Sequence, residues 1–215
     1  KSRQMGITTL TSAYALWLMV FHSDKNILCI SIKQETAKEI ITRVRFANNN
    51  LPSWLKVPCV EDNRLSIRFK NESRIVALSS AADSARSVSA FLLVIDEAAF
   101  IEKMDEHWKA MYPVIATGGH IQIISTVNGI GNWYEETYRE AENGDNFFNI
   151  INLDYWEHPT YANPKWAEEV RANLGEKGWR QEVLRDFLGS GETYISSHTI
   201  SKLDRLTKNN QPISN

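Results

Sequence analysis

Cysteine is scarce, with only Cys29 and Cys59 in a chain of 215 residues. Two thiols exclude a disulfide framework and a cysteine-rich zinc site. Cys29 lies inside an apolar run, where a thiol behaves as a small hydrophobe, and a reducing compartment is expected. An excess of one charge is also lacking: 24 Lys and Arg against 26 Asp and Glu leave a formal net charge of −2. A strongly basic surface is therefore not how the whole chain captures nucleic acid. The longest apolar run, Ala13 to Phe21, is about half of the roughly 20 residues that a membrane span requires. No basic segment and cleavage site precede it as in a signal peptide, and no membrane partner is expected. Internal repeats and low-complexity blocks are missing. So is an initiator Met, and the chain is expected to be a fragment cut at both ends. What is present is 43% hydrophobic and 23% charged, the proportions of a folded globular protein. The length suffices for one sizeable core, or one domain plus a tail.

The hydrophobic pattern alternates between helical and strand periods, as in an α/β domain. A polar loop, Lys1 to Thr8, opens an apolar helix to about Phe21. Tyr14, Trp17, Leu18 and Phe21 are assigned to one face, broadened by Leu16 and Val20, and this helix is expected to pack on a sheet and a neighbouring helix. Asn26 to Ile32 reads as a buried strand. Gln34 to Asn48 reads as a helix with Ala37, Ile40, Ile41 and Val44 inward. Leu65 to Phe69 and Arg74 to Leu78 flank a turn. Phe91 to Ile95 has the near-continuous apolar character of a parallel strand covered on both faces, and His120 to Thr126 reads as another buried strand. Between them Glu106 to Ala116 reads as a helix, with Pro113 near its end. Asn132 with Glu135 has capping-box spacing ahead of a further helix. Phe147 to Leu153 is expected to be the last strand. Asn163 and Pro164 start a helix that Gly175 ends, and another is expected from about Gly178 to Phe187. Beyond Gly189 the chain loses periodicity, like a linker.

The loop Lys1-Ser2-Arg3-Gln4-Met5-Gly6-Ile7-Thr8-Thr9 stands where a phosphate loop would stand. The first turn of a helix leaves N–H groups unpaired, and the macrodipole favours an anion there. Gly6 permits close backbone approach, and Thr8 offers a hydroxyl to Mg²⁺. The pattern departs from G-x-x-x-x-G-K-[ST] at two positions, Lys1 for the first glycine and Ile7 for the lysine. Isoleucine cannot neutralise a phosphate, so Lys1 is expected to fold back over the loop in the lysine's place, with Arg3 also near the phosphates. The plainer alternative is a polar turn before a helix.

Phe91-Leu92-Leu93-Val94-Ile95-Asp96-Glu97-Ala98-Ala99 reads as a strand that delivers two carboxylates at its C-terminal edge, where open α/β sheets bind ligands. Asp96 would hold Mg²⁺ beside Thr8, and Glu97 would orient and deprotonate a water for attack on a γ-phosphate. Ser125, Thr126 and Asn128 end the next strand and form a polar tip able to sense that phosphate. Two solvated acids and an ordinary strand-to-turn transition are the plain readings of these segments.

Taken in order, these residues resemble the ATPase domain of tailed-bacteriophage terminase large subunits, the DNA-packaging motors. Ser2-Arg3-Gln4-Met5-Gly6 with Thr8-Thr9 is similar to that family's S-R-Q-x-G-x-[ST]-T loop. Leu93 to Phe100 resembles its Walker B strand, and Ser125 to Gly129 its coupling motif. Trp179-Arg180-Gln181-Glu182, Phe187 and Ser190-Gly191 resemble the end of its ATPase domain. Some members carry the loop lysine at the first position, as Lys1 would here. The resemblance implies an α/β fold of the ASCE-type P-loop NTPases, a mostly parallel sheet sandwiched by helices and truncated at both ends. Residues 1–188 would be the ATPase domain without its N-terminal strands. Residues 189–215 would be a linker toward an absent RNase H-like nuclease domain, so DNA cleavage is not expected. Weak nucleotide affinity is expected, because the family's adenine-contacting residues lie upstream of the loop. The implied activity is Mg²⁺-dependent ATP hydrolysis that drives double-stranded viral DNA into a procapsid. The implied partners are the portal protein, the small terminase subunit and further copies in a homo-oligomeric ring. The implied place is the host cytoplasm, transiently on the portal.

Arg86, ahead of the Walker B strand, is a candidate trans-acting arginine finger, with a surface or salt-bridged arginine as the equal alternative. Asp154 with His158 is read as structural rather than metal-binding. Trp54, Trp108, Trp156, Trp166 and Trp179 are read as core or domain-edge packing, and Lys202, Arg205 and Lys208 as a solvated cluster. Two rival functions stand beside the motor. One is a helicase-like translocase, and the other is a catalytically inactive P-loop scaffold, proposed because of Ile7.

Overall fold

The structure, a computed structural model, describes residues 1–78, 89–116 and 118–187. Two compact units emerge, one of residues 4–125 and one that joins residues 1–3 to the chain from 126 onward. In the first, six strands form one sheet in the order β2-β3-β4-β1-β5-β6. These are β1 (Asn26–Ile30), β2 (Cys59–Asp62), β3 (Ser66–Phe69), β4 (Arg74–Leu78), β5 (Leu92–Asp96) and β6 (His120–Ile124). β4, β1, β5 and β6 are parallel, and β2 and β3 extend the sheet antiparallel. β1 and β5 are apolar nearly throughout because they are central and covered on both faces.

Helix α1 (Ile7–Phe21) and helix α2 (Gln34–Asn49) pack on this sheet. Ala37, Ile40, Ile41 and Val44 of α2 are fully buried, as their spacing predicts. α1 corrects the expected face. Ala15, Leu16, Leu18 and Met19 turn inward, whereas Tyr14, Trp17 and Phe21 face outward with Leu10. Tyr14 stacks on Trp17 and Trp17 meets Phe21. A helix apolar on both sides gives no periodic signal of which side the sheet takes. β2 is a strand that the sequence does not announce, being short, polar and largely exposed. Helix α3 (Met104–Ile115) joins β5 to β6 and accommodates Pro113 in its last turn.

The second unit carries helix α4 (Trp133–Asn143) and helix α5 (Pro164–Glu182). The Asn132 side chain caps α4 by accepting from the Glu135 N–H, while the Glu135 carboxylate accepts from the Gly131 N–H. Asn163 caps α5 over Pro164, and Gly175 interrupts it with φ 67° and ψ 172°. Two expectations fail in this unit. Phe147 to Leu153 forms no strand: Ile151 is 80% exposed, and the Phe148 N–H is taken by the Asn146 side chain rather than by a neighbouring strand. The last helix ends at Glu182 instead of near Phe187, since Arg185 takes φ 58° and reaches Asp154 and Asn152. Trp179 is buried, Trp156 is half exposed and meets Tyr155 edge-on at the rim of the Tyr155–Trp166–Trp179 cluster, and Trp54 is 82% exposed. Among the described residues no helix is long and apolar enough to cross a membrane.

Candidate functional site

Parallel register ends four strands on one edge: Ile30 pairs with Leu78 and Ile95, and Asp96 pairs with Ile124. α1 runs back across the sheet. Its last carbonyls sit at the opposite edge, where the Asn71 amide donates to Met19 and His22, and the Ser73 hydroxyl donates to His22. Fifteen residues of helix are about 22 Å long, slightly more than a five-residue strand at about 17 Å. The first turn of α1 therefore lies at the edge where β5 ends in Asp96. Sequence separation hides this pairing, and strand order reveals it.

The loop reaches that turn through two left-handed residues, Gln4 with φ 58° and Gly6 with φ 76°. Gly6 is the N-cap of α1, and no side chain caps the helix there. The space that a Cβ would take at Gly6 is open, so the glycine serves the turn and leaves room beside it. Ile7, Thr8 and Thr9 form the first turn, with the N–H groups that such a turn offers an anion. Ser12 donates to the Thr8 carbonyl at 2.7 Å and steadies the turn from below. Met5 is half-buried and Gln4 exposed.

At the tip of β5, Asp96 is buried, and one carboxylate oxygen accepts the Glu97 N–H at 3.1 Å. Its charge reaches β1: burial pushes the Cys29 thiol far up, and Asp96 pushes it further. Glu97 is half-buried with φ 55° and ψ 41°, a left-handed conformation unusual for a residue with a side chain. It starts a single 3₁₀ turn, Ala98–Phe100. Ser125, just past β6, is 1% exposed, and its hydroxyl accepts the Ala99 N–H at 3.1 Å.

The remaining candidates lie in the other unit. The Ser2 N–H donates to Leu153 O, its hydroxyl donates to Val183 O at 2.6 Å, and the Arg3 N–H donates to Glu182 O. The Arg3 guanidinium, expected near phosphates, is ion-paired with Glu182 at 3.4 Å. Lys1 is half-buried and Thr126 buried, and the Asn128 carbonyl accepts from the Asn132 amide. Arg86, Lys202, Arg205 and Lys208 lie outside the described residues, as does segment 189–215. Asp154 pairs with Arg185, and no cluster of three metal-ligating side chains occurs among the described residues.

Sequence reasoning missed one cation. Arg43 of α2 donates to the Thr9 hydroxyl at 3.1 Å, which brings a guanidinium to the first turn of α1. Nothing local marks it, since α2 reads there as an ordinary solvated face. The donor set at this edge suits a small hard cation: a hydroxyl from Thr8 and the buried carboxylate of Asp96.

Comparison with known proteins agrees with this layout. The family model described as "Terminase large subunit, T4likevirus-type, N-terminal" matches residues 1–202. The chain is 34% identical over 210 residues to the probable terminase large subunit gp28 of Escherichia phage Mu. That alignment covers 86% of this chain and 37% of the phage protein, so the chain spans little more than a third of that relative. The fold is that of large terminase ATPase domains. The Thermus phage P74-26 domain superposes with a TM-score of 0.66 at 18% identity, covering 86% of each chain. The large terminase of bacteriophage HK97 gives 0.65 at 14% identity, covering 94% of this chain and 48% of that one.

Proposed function

This chain belongs to the terminase large subunit family of the T4likevirus type, and from that premise we propose that it is the Mg²⁺-dependent ATPase motor that drives double-stranded viral DNA into a procapsid. The observation that carries this reading is the first turn of α1 and the Asp96 carboxylate that ends β5 on one sheet edge within one compact unit, with Glu97 next in the chain. The N–H groups of Ile7, Thr8 and Thr9 bind the nucleotide phosphates, and Gly6 lets the backbone come close. Thr8 and Asp96 hold Mg²⁺, which when bound neutralises charge on the phosphates. Glu97 orients a water in line with the γ-phosphate and takes its proton. Lys1 and Arg43 supply the positive charge that Ile7 cannot. Ser125, Thr126 and Asn128 form the polar tip that registers loss of the γ-phosphate. Arg86 acts on a neighbouring subunit's nucleotide.

The whole protein works as a homo-oligomeric ring on the portal, supplied with DNA by the small terminase subunit, in the host cytoplasm and only transiently on the procapsid. The test is steady-state ATP hydrolysis with and without double-stranded DNA, for the parent, Lys1→Ala and Glu97→Gln. An active parent with both variants reduced at least a hundredfold is expected. A parent that binds nucleotide without hydrolysing it refutes the motor and leaves a P-loop scaffold. Activity that survives Lys1→Ala removes Lys1 from the mechanism.

A further inference from the structure

The turn that begins at Glu97 is capped in an unusual way. A 3₁₀ turn leaves N–H groups unpaired at its start, and a short polar side chain at the N-cap commonly accepts one. Glu97 occupies that N-cap position, yet its side chain makes no cap hydrogen bond. The hydroxyl of Ser125 accepts the Ala99 N–H instead, at 3.1 Å, from the neighbouring strand. The two residues meet because Asp96 and Ile124 are paired in parallel register, so the residues just past each strand end lie side by side. Below the turn, the Asp96 carboxylate accepts the Glu97 N–H, and Phe100 closes the turn by donating to the Glu97 carbonyl at 3.0 Å. These three bonds hold the backbone of Glu97 at φ 55° and ψ 41°, and of the three the Ser125 bond comes from outside the segment.

We propose that Ser125 is a positioning residue for Glu97: by capping the turn from β6, it fixes the backbone from which the Glu97 carboxylate projects. This rests on the ATPase reading above and gives Ser125 a part other than nucleotide contact. A hydroxyl that caps the turn acts on the chemical step, whereas one that touches the nucleotide acts on its binding. The arrangement also gives the strand tip after β6 a direct mechanical hold on the hydrolytic glutamate. A shift of Ser125 away from Ala99 would release the turn, and with it the aim of the Glu97 carboxylate, and slow turnover.

The experiment compares the parent, Ser125→Ala and Ser125→Thr in steady-state ATP hydrolysis and in amide hydrogen exchange. Ser125→Ala is expected to lower kcat at least tenfold with KM for ATP changed less than twofold. Exchange should accelerate at least tenfold at Ala98–Phe100 and stay unchanged in β1 and β5, which shows that the sheet is intact. Ser125→Thr, which keeps the hydroxyl, is expected to remain within about threefold of the parent in kcat. A Ser125→Ala variant with unchanged kcat, or with raised KM at unchanged kcat, overturns the positioning role while leaving the ATPase reading standing. A threonine variant as slow as the alanine one also counts against it. A parent that binds but never hydrolyses ATP, with the turn protected, refutes the ATPase reading and the positioning role with it.

Discussion

Glu97 is held in a conformation that costs stability, and that cost is measurable by substitution. At φ 55° and ψ 41° its Cβ crowds the following carbonyl, a strain of about 1–2 kcal/mol for a residue with a side chain. Glycine relieves the strain but adds about 0.5–1 kcal/mol of unfolded-chain entropy. Glu97→Gly is therefore expected to gain up to about 1.5 kcal/mol, which in a chain of this size raises Tm by at most about 3–6 °C. Glu97→Ala keeps the Cβ and the strain, and its Tm should lie below that of the glycine variant. Under the proposed mechanism both lose the general base, and turnover should fall by about 10²–10⁴-fold. The assay pairs scanning calorimetry with ATP hydrolysis on the same preparations. The sharp comparison is glycine against alanine, since both lack the carboxylate and differ only in the Cβ. A glycine variant that melts at or below the alanine variant would refute stored strain at this position.

Other expectations follow from single contacts. Ser2→Ala removes the donor to Val183 O in a buried setting and should cost about 1–3 kcal/mol in urea unfolding. Arg43→Ala should raise KM for ATP about tenfold with kcat unchanged, the lower end of a charge-assisted bond of about 1.5–3 kcal/mol, with Arg43→Lys intermediate. Only the exposed Cys59 should react with a thiol reagent in the folded chain, Cys29 reacting after unfolding. Burial keeps Cys29 protonated when folded, whereas the unfolded thiol ionises above its ordinary value of 9.0. Stability should therefore fall as pH rises past that value, by at most about 1.4 kcal/mol per pH unit, and more gently in Cys29→Ala.

Local signals were legible wherever one chemistry decides the outcome. The apolar run ending in Asp96 could only be a covered strand, α2 declared its buried face by period, and Asn132 and Asn163 are N-caps as their side chains require. The failures have the opposite character. α1 is apolar on both flanks, so only the sheet decides that Leu18 turns in and Trp17 turns out. Phe147 to Leu153 has strand composition but no strand to pair with among the described residues, and the Asn146 side chain and the Ser2 N–H take bonds that a ladder would use. β2 is edge structure held by its partner strand rather than by its own residues. In the candidate site, Gly6, Thr8, Asp96 and Glu97 stand out by type and spacing. The Arg43 contact with Thr9 and the Ser125 cap on Ala99 are long-range and need the fold to be seen.

The central claim is that the first turn of α1 and the tip of β5 share one divalent cation on a bound triphosphate. Crystals of the protein with Mn²⁺ and a non-hydrolysable ATP analogue, measured for anomalous scattering, address it most directly. The account predicts one manganese peak between the phosphates, the Thr8 hydroxyl and the Asp96 carboxylate, reached directly or through one water. Manganese and nucleotide bound away from that edge, or a site that Asp96 does not reach, would contradict it.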